Sequence, residues 1–182
     1  TIQRRPQLWA AAAAVTLVVL AAPFLGIRLG WTDEGNFPEK SGTHRAYDLL
    51  AEGFGPGFNG PLIITATTGP ETDAEGIDDL HATLATTPGV AAVTPPVAAA
   101  PSDPSAYLMT LIPTSAPQDE ATSELVRTLR HDAVTTATAA GLDVHVTGSA
   151  ATNIDVTAYL GRRMPVFFAA VLGMSFLVLM VV

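Results

Sequence analysis

The residues with the most chemical potential are a glycine-rich stretch, four histidines and one carboxylate near an apolar run. The stretch Gly53-Phe54-Gly55-Pro56-Gly57-Phe58-Asn59-Gly60 places Gly55, Gly57 and Gly60 at the spacing G-x-G-x-x-G. Such a loop holds a dinucleotide when it follows a strand and opens a helix, because the helix N-terminus then faces the pyrophosphate. Here the order is reversed, with a helical pattern before and a strand pattern after. The glycines therefore read as a helix C-cap and a tight loop. His44, His81, His131 and His145 each fall in a different predicted element, and only His44 has a carboxylate, Asp48, one helical turn on. Two ligands do not make a metal centre without partners from elsewhere in the fold, so the four read as surface histidines. No serine sits in a G-x-S-x-G elbow, and no pair of carboxylates stands out as general acid and base. The reading assigns no catalytic residue, no cofactor and no metal ligand, and expects no enzyme. Asp155 lies about nine residues ahead of an apolar run, roughly 14 Å outside it along a continuous helix. A carboxylate inside a membrane would be a functional candidate by default; outside it, Asp155 reads as solvated or salt-bridged.

The elements that would position these residues follow from an uneven distribution of polarity. The 182-residue chain is 48% hydrophobic and carries a net charge of −8, yet all its Asp and Glu lie between Asp33 and Asp155. An acidic central segment argues against nucleic acid as a partner. The absence of cysteine excludes disulfides and thiolate metal sites. From Leu8 to Ile27 there is no charge, and about 20 residues at 1.5 Å each match the roughly 30 Å of a hydrocarbon core. Trp9 and Trp31 bracket the run, and Arg4 and Arg5 precede it, which places residues 1–7 in the cytoplasm. A cleaved secretory signal is the alternative. Its apolar core would be shorter, and Ala21-Ala22-Pro23 makes a poor cleavage site. A second apolar run spans residues 164–182 and is still apolar at Val182, so the chain is expected to be a segment of a longer protein. Arg162 and Arg163 precede it on the outer side, against the charge trend, although long loops translocate largely regardless of charge.

Between the runs the pattern alternates. Ser41 is a helix N-cap, with Ala46, Leu49, Leu50 and Phe54 on one helical face. Pro61–Thr68 (PLIITATT) reads as a strand. Thr72 or Asp73 caps a helix whose Ile77, Leu80 and Leu84 share a face, ended by Pro88-Gly89. Val90–Val97 reads as a second strand, stopped or pushed to an edge by Pro95-Pro96, and AAAPSDPS as a turn-rich connection. Tyr107–Ile112 is a third strand. Asp119 and Glu120 open a helix along which Ala121, Leu125, Leu129 and Ala133 recur every four residues, with Gly141 after its end. Asp143–Thr147 is a fourth strand, with Val144 and Val146 on one side and His145 on the other. Residues 149–163 form a further helix leading directly into the second apolar run. The order β-α-β-β-α-β predicts an α+β, ferredoxin-like domain with two helices on one face of a four-stranded sheet.

Three stretches carry a family resemblance: YDLLAEGFGPGFNGPLIITA (Tyr47–Ala66), LIPTSAPQDEATSELVRTLR (Leu111–Arg130) and VTGSAATNIDVTAYLGRRMPVFFAAVLGMSFLVLMVV (Val146–Val182). Together they cover nearly half the chain. It resembles the N-terminal segment of an MMPL-type transporter of the resistance-nodulation-division superfamily. That resemblance implies a multi-pass plasma-membrane exporter of lipids or hydrophobic compounds, driven by the proton-motive force. It implies a first span at 8–27, an extracytoplasmic porter domain at 35–160 and a second span at 164–182. The implied partners are membrane lipids, hydrophobic cargo, and the remaining spans and second porter domain of the same protein. The family's proton-relay carboxylates belong to later spans, so none is carried onto this chain. Phe54 and Phe58 are the candidate substrate contacts; the competing reading packs both rings under the glycine loop. A two-span sensor or scaffold is the alternative function. A secreted enzyme leaves the second apolar run unexplained, and the three stretches favour the MMPL family over accessory proteins of protein export.

Overall fold

The computed structural model describes residues 6–23, 30, 32–68, 74–100, 103–139 and 141–181. The chain divides into two compact units, residues 1–30 and 31–182. In the first, α1 (Pro6–Ala21) is apolar around its whole circumference, with Leu17, Val18 and Leu20 among its exposed side chains. Such a helix has no face to turn toward water. Its polar Thr16 donates its hydroxyl to the Ala12 carbonyl at 2.8 Å, which satisfies that group within the helix. Sixteen residues give about 24 Å. Residues 24–27 of the expected span, Arg4, Arg5 and Trp31 lie outside the described residues.

The second unit is α+β. It opens with a 3-10 turn, Glu34–Asn36, started by Asp33, whose Oδ1 accepts the Gly35 N–H at 3.0 Å. Helix α2 (Gly42–Phe54) follows, capped as expected by Ser41 Oγ accepting the His44 N–H at 3.1 Å. A second 3-10 turn, Pro56–Asn59, leads into β1 (Leu62–Thr68). Then come α3 (Ala74–Thr86), β2 (Val90–Val93), β3 (Val97–Ala100), β4 (Asp103–Pro113), α4 (Glu120–Thr128), a π-turn (Leu129–Ala133), α5 (Val134–Ala139), β5 (Leu142–Thr147) and α6 (Ser149–Val181). The Thr72 or Asp73 cap lies outside the described residues.

All strand pairs are antiparallel, in the order β2-β4-β1-β5, with β3 also on β4. Alternation decides which face is buried: Leu62, Ile64 and Ala66 of β1 and Leu142, Val144 and Val146 of β5 point into one core. Ile77, Leu80 and Leu84 of α3 cover it, as the sequence predicts, together with Leu125, Val126 and Leu129. His145, opposite Val144 and Val146 in the pleat, is on the exposed face.

Two expectations are corrected. The strand read at Val90–Val97 stops at Val93 on the sheet edge, as Pro95-Pro96 led one to expect; what is corrected is AAAPSDPS, read as a turn-rich connection but occupied in part by β3 and by the start of β4. The reason is the length of β4. Its end pairs with β2 (Val93↔Leu111) and its middle with β3 (Val97↔Leu108), so one partner strand holds both pieces of an interrupted edge. Across the gap Thr94 donates its N–H to the Thr110 carbonyl (2.9 Å) and accepts the Thr110 N–H on its hydroxyl (2.8 Å), while Pro95 and Pro96 have no donor to give. The second correction is at the start of α4, where Ala121 is exposed and Thr122 is buried in its place. The Thr122 hydroxyl reaches the Ala116 carbonyl and Ser115 Oγ, both at 2.7 Å, so a polar side chain is buried fully bonded.

α6 is a single 33-residue helix with Pro165 inside it. Ala150 and Ala151 are buried against the sheet domain and Ile154 packs on the core. Residues 158–181 are exposed, and among the described residues α6 is the one helix long and apolar enough to cross a membrane.

Candidate functional site

The glycine-rich loop closes one end of the sheet. The register pairs Leu62 with Leu111 and Ile63 with Thr147, so the start of β1 and the ends of β4 and β5 share that end. Gly55 caps α2 at φ +92°, in the left-handed region, and its N–H bonds to the Ala51 carbonyl at 3.0 Å. Gly57 is buried where a Cβ would stand 1.8 Å from the Pro113 carbonyl oxygen. The G-x-G-x-x-G spacing thus serves close packing of loop against strand end, and it follows the C-terminal end of a helix.

Phe54 and Phe58 stack across this loop, centroids 4.8 Å apart and planes at 25°. Phe54 remains 66% exposed and Phe58 37%, so the rings lie on each other and on the surface. The apolar face of α2 continues the patch: Leu49 is 57% exposed and no residue of α2 is buried. What holds α2 is its polar side. The Tyr47 hydroxyl donates to Asp33 Oδ2 at 3.3 Å, the Asn59 amide donates to the Tyr47 carbonyl at 3.1 Å, and His44 Nδ1 sits 2.8 Å from the Phe37 carbonyl. Partial burial and the Asp33 carboxylate push the Tyr47 phenol up to about 12. Helix α2 is thus fastened by its polar side and bare on its apolar side in this chain.

The histidines stay apart. His44 pairs with Asp48 (3.3 Å), His145 with Asp143 (3.3 Å), and His81 Nε2 lies 3.4 Å from the Val93 carbonyl. Among the described residues no three His, Asp or Glu side chains converge as a metal cage.

Asp155, read from the sequence as solvated or salt-bridged, is salt-bridged, and its partner is Arg130. The guanidinium donates through Nη1 to Oδ1 (2.5 Å) and through Nη2 to Oδ2 (2.8 Å), and Nη2 also donates to the Val146 carbonyl (3.0 Å). The hydrogen bond from Arg130 holds the Asp155 carboxyl below the usual carboxylate range, and Asp155 in turn raises Arg130. The pair is 25 residues apart, so no helical spacing announces it; only the placement of α6 beside the π-turn brings it together.

Comparison with known proteins adds a family to this geometry. The family model described as "MMPL family" matches residues 37–182. The chain belongs to the MMPL family. It is similar to Membrane protein YdfJ of Bacillus subtilis (strain 168), 35% identical over 184 residues, covering 100% of this chain and 24% of that protein. It is also similar to Mycolic acid-containing lipids exporter MmpL11 of Mycolicibacterium smegmatis (strain ATCC 700084 / mc(2)155), 27% identical over 186 residues, covering 99% of this chain and 19% of that protein. This MMPL chain thus spans a quarter or less of the length of these curated relatives, and the matched region contains the α2 patch, the sheet and α6.

Proposed function

We propose that the chain is part of an exporter of the resistance-nodulation-division superfamily that moves lipids or other hydrophobic compounds across the cell envelope, driven by the proton-motive force. The family match over residues 37–182 carries the reading. The lipid export named for MmpL11 supports lipid cargo. In this reading residues 1–7 are cytoplasmic, 8–27 and 164–182 are spans in the plasma membrane, and 35–160 is an extracytoplasmic, ferredoxin-like porter domain without enzymatic activity. The strand order β2-β4-β1-β5, with α3 and α4 packed on one face, supports a split βαβ arrangement in which β3 is an added edge piece. The exposed apolar length of α6 supports the second span.

Phe54 and Phe58 contact the cargo. Their stacked, exposed rings offer an apolar surface of fixed shape at the end of the sheet from which α6 departs, and an acyl chain is the ligand chemistry that fits it. The test is export of labelled envelope lipid by the full-length protein, with and without a proton uncoupler, at equal membrane levels. Export that stops with the uncoupler and falls at least about threefold in Phe54→Ala/Phe58→Ala is the expected result. Cargo-independent signalling with no lipid movement would overturn the exporter, and unchanged export by the double variant would remove the two rings from the cargo path.

A further inference from the structure

We infer that Arg130 and Asp155 are positioning residues that fix α6 to the sheet domain, so that movement of its apolar half, bending at Gly161–Pro165, is delivered to the domain through one point. The inference rests on the transport reading above for its consequence, though not for its geometry.

The two halves of α6 have different surroundings. Ala150, Ala151 and Ile154 sit on the domain, whereas residues 158–181 are exposed. Asp155 is in the turn where the helix leaves. There the Arg130 fork takes both carboxylate oxygens and the Val146 carbonyl, joining the π-turn, the last residues of β5 and α6 through a single guanidinium. Two parallel N–H···O bonds set orientation as well as distance, so α6 cannot rotate about its own axis without breaking at least one. The pair is about a third exposed on the Arg130 side and about half exposed on the Asp155 side, with side-chain values of 34% and 55%. An ion pair that wet adds little to stability. Its specific contribution is direction.

Beyond the fork the helix has a soft point. Pro165 has no N–H for the Gly161 carbonyl, and its ring crowds that carbonyl. A Cβ on Gly161 would meet no other atom of this chain, and glycine adds backbone freedom there. Gly161 and Pro165 lie between the fork and the apolar run. A helix clamped at Asp155 and softened at 161–165 is a lever with a fixed end and a joint.

The test uses the purified full-length protein and cells expressing it at matched membrane levels. Spin labels at Arg127 on α4 and Thr152 on α6 report the fork; labels at Thr152 and Ser175 report the joint. The first distance distribution should be narrow in the parent and broaden in Asp155→Ala and Arg130→Lys. The exchanged pair Arg130→Asp/Asp155→Arg should narrow it again. The second distribution should narrow in Gly161→Ala/Pro165→Ala. Export turnover should fall about tenfold in each single fork variant, no further when both are removed, and recover in part in the exchanged pair, with unchanged half-saturation for lipid and a melting temperature within a few degrees of the parent. Unbroadened distances would overturn the fork as a positioning device whether or not the protein exports lipid. Broadened distances with full export would overturn the coupling, and export losses that only track lost folded protein would reduce the pair to a structural contact. A parent protein that moves no lipid fails the transport reading instead, and the distances still decide the clamp.

Discussion

Gly57 illustrates how a motif is decided by what stands next to it. Its spacing matches a phosphate-binding loop, but its missing side chain makes room for the Pro113 carbonyl, 1.8 Å from where a Cβ would be. The order of elements around the loop, helix first and strand second, was enough to read it correctly from the sequence. Its contact with the end of β4 was not, since that depends on pairing across about fifty residues. Replacing Gly57 with Ala should force strand end and loop apart and cost about 1–3 kcal/mol, the usual range for overpacking. Thermal unfolding of the detergent-solubilised protein measures it; an unchanged midpoint would mean that the loop can relax. Arg130 and Asp155 mark the opposite case. Each residue alone looks like ordinary surface charge, and their meeting is a property of the fold.

Strands β1 and β5 were legible because alternation carries the information: Leu62, Ile64 and Ala66, or Val144 and Val146, point one way and their neighbours the other. Strand β3 was not. Val97-Ala-Ala-Ala has weak strand preference and is flanked by prolines, and the long β4 recruits it by offering a partner. The helix from Glu120 to Ala139 carried a clue in plain view. Leu125, Leu129, Ala133 and Ala137 recur every four residues, which in a regular α-helix drifts by about 40° per step. The π-turn at Leu129–Ala133 absorbs that drift, acting as a one-residue insertion in an ordinary helical pattern. Deleting exposed Asp132 should therefore keep the buried face and cost less than about 1 kcal/mol. Deleting Glu124 from the regular part should turn the face away from the sheet and cost about 3 kcal/mol or more. Equal damage from both deletions, read by melting temperature, would contradict this account.

At the level of the whole molecule, titration and edge protection concern the domain as a unit. Asp155 has a lowered pKa, so its contribution is present above the ordinary carboxylate range and is lost as pH falls through that depressed value. Tyr47 is raised to about 12, so its contribution is present below the ordinary phenol value of 10.0 and is lost as pH rises toward 12. Both are constant across neutral pH, and melting temperature should respond to them only at the extremes. Asp155→Asn, which removes a half-exposed pair, should change the acid limb only slightly, and Tyr47→Phe should flatten the alkaline one; a variant that shifts stability near pH 7 in a pH-dependent way would show another group at work. The interrupted edge made by β2, Thr94-Pro95-Pro96 and β3 has a consequence of its own. Copies tethered to a bilayer meet edge to edge far more often than molecules free in three dimensions. An open sheet border in that setting is a seed for polymerisation. Two adjacent prolines, each without a donor, break the row of N–H groups that an incoming strand would need, so on that side the domain resists being lengthened into a fibre by its neighbours.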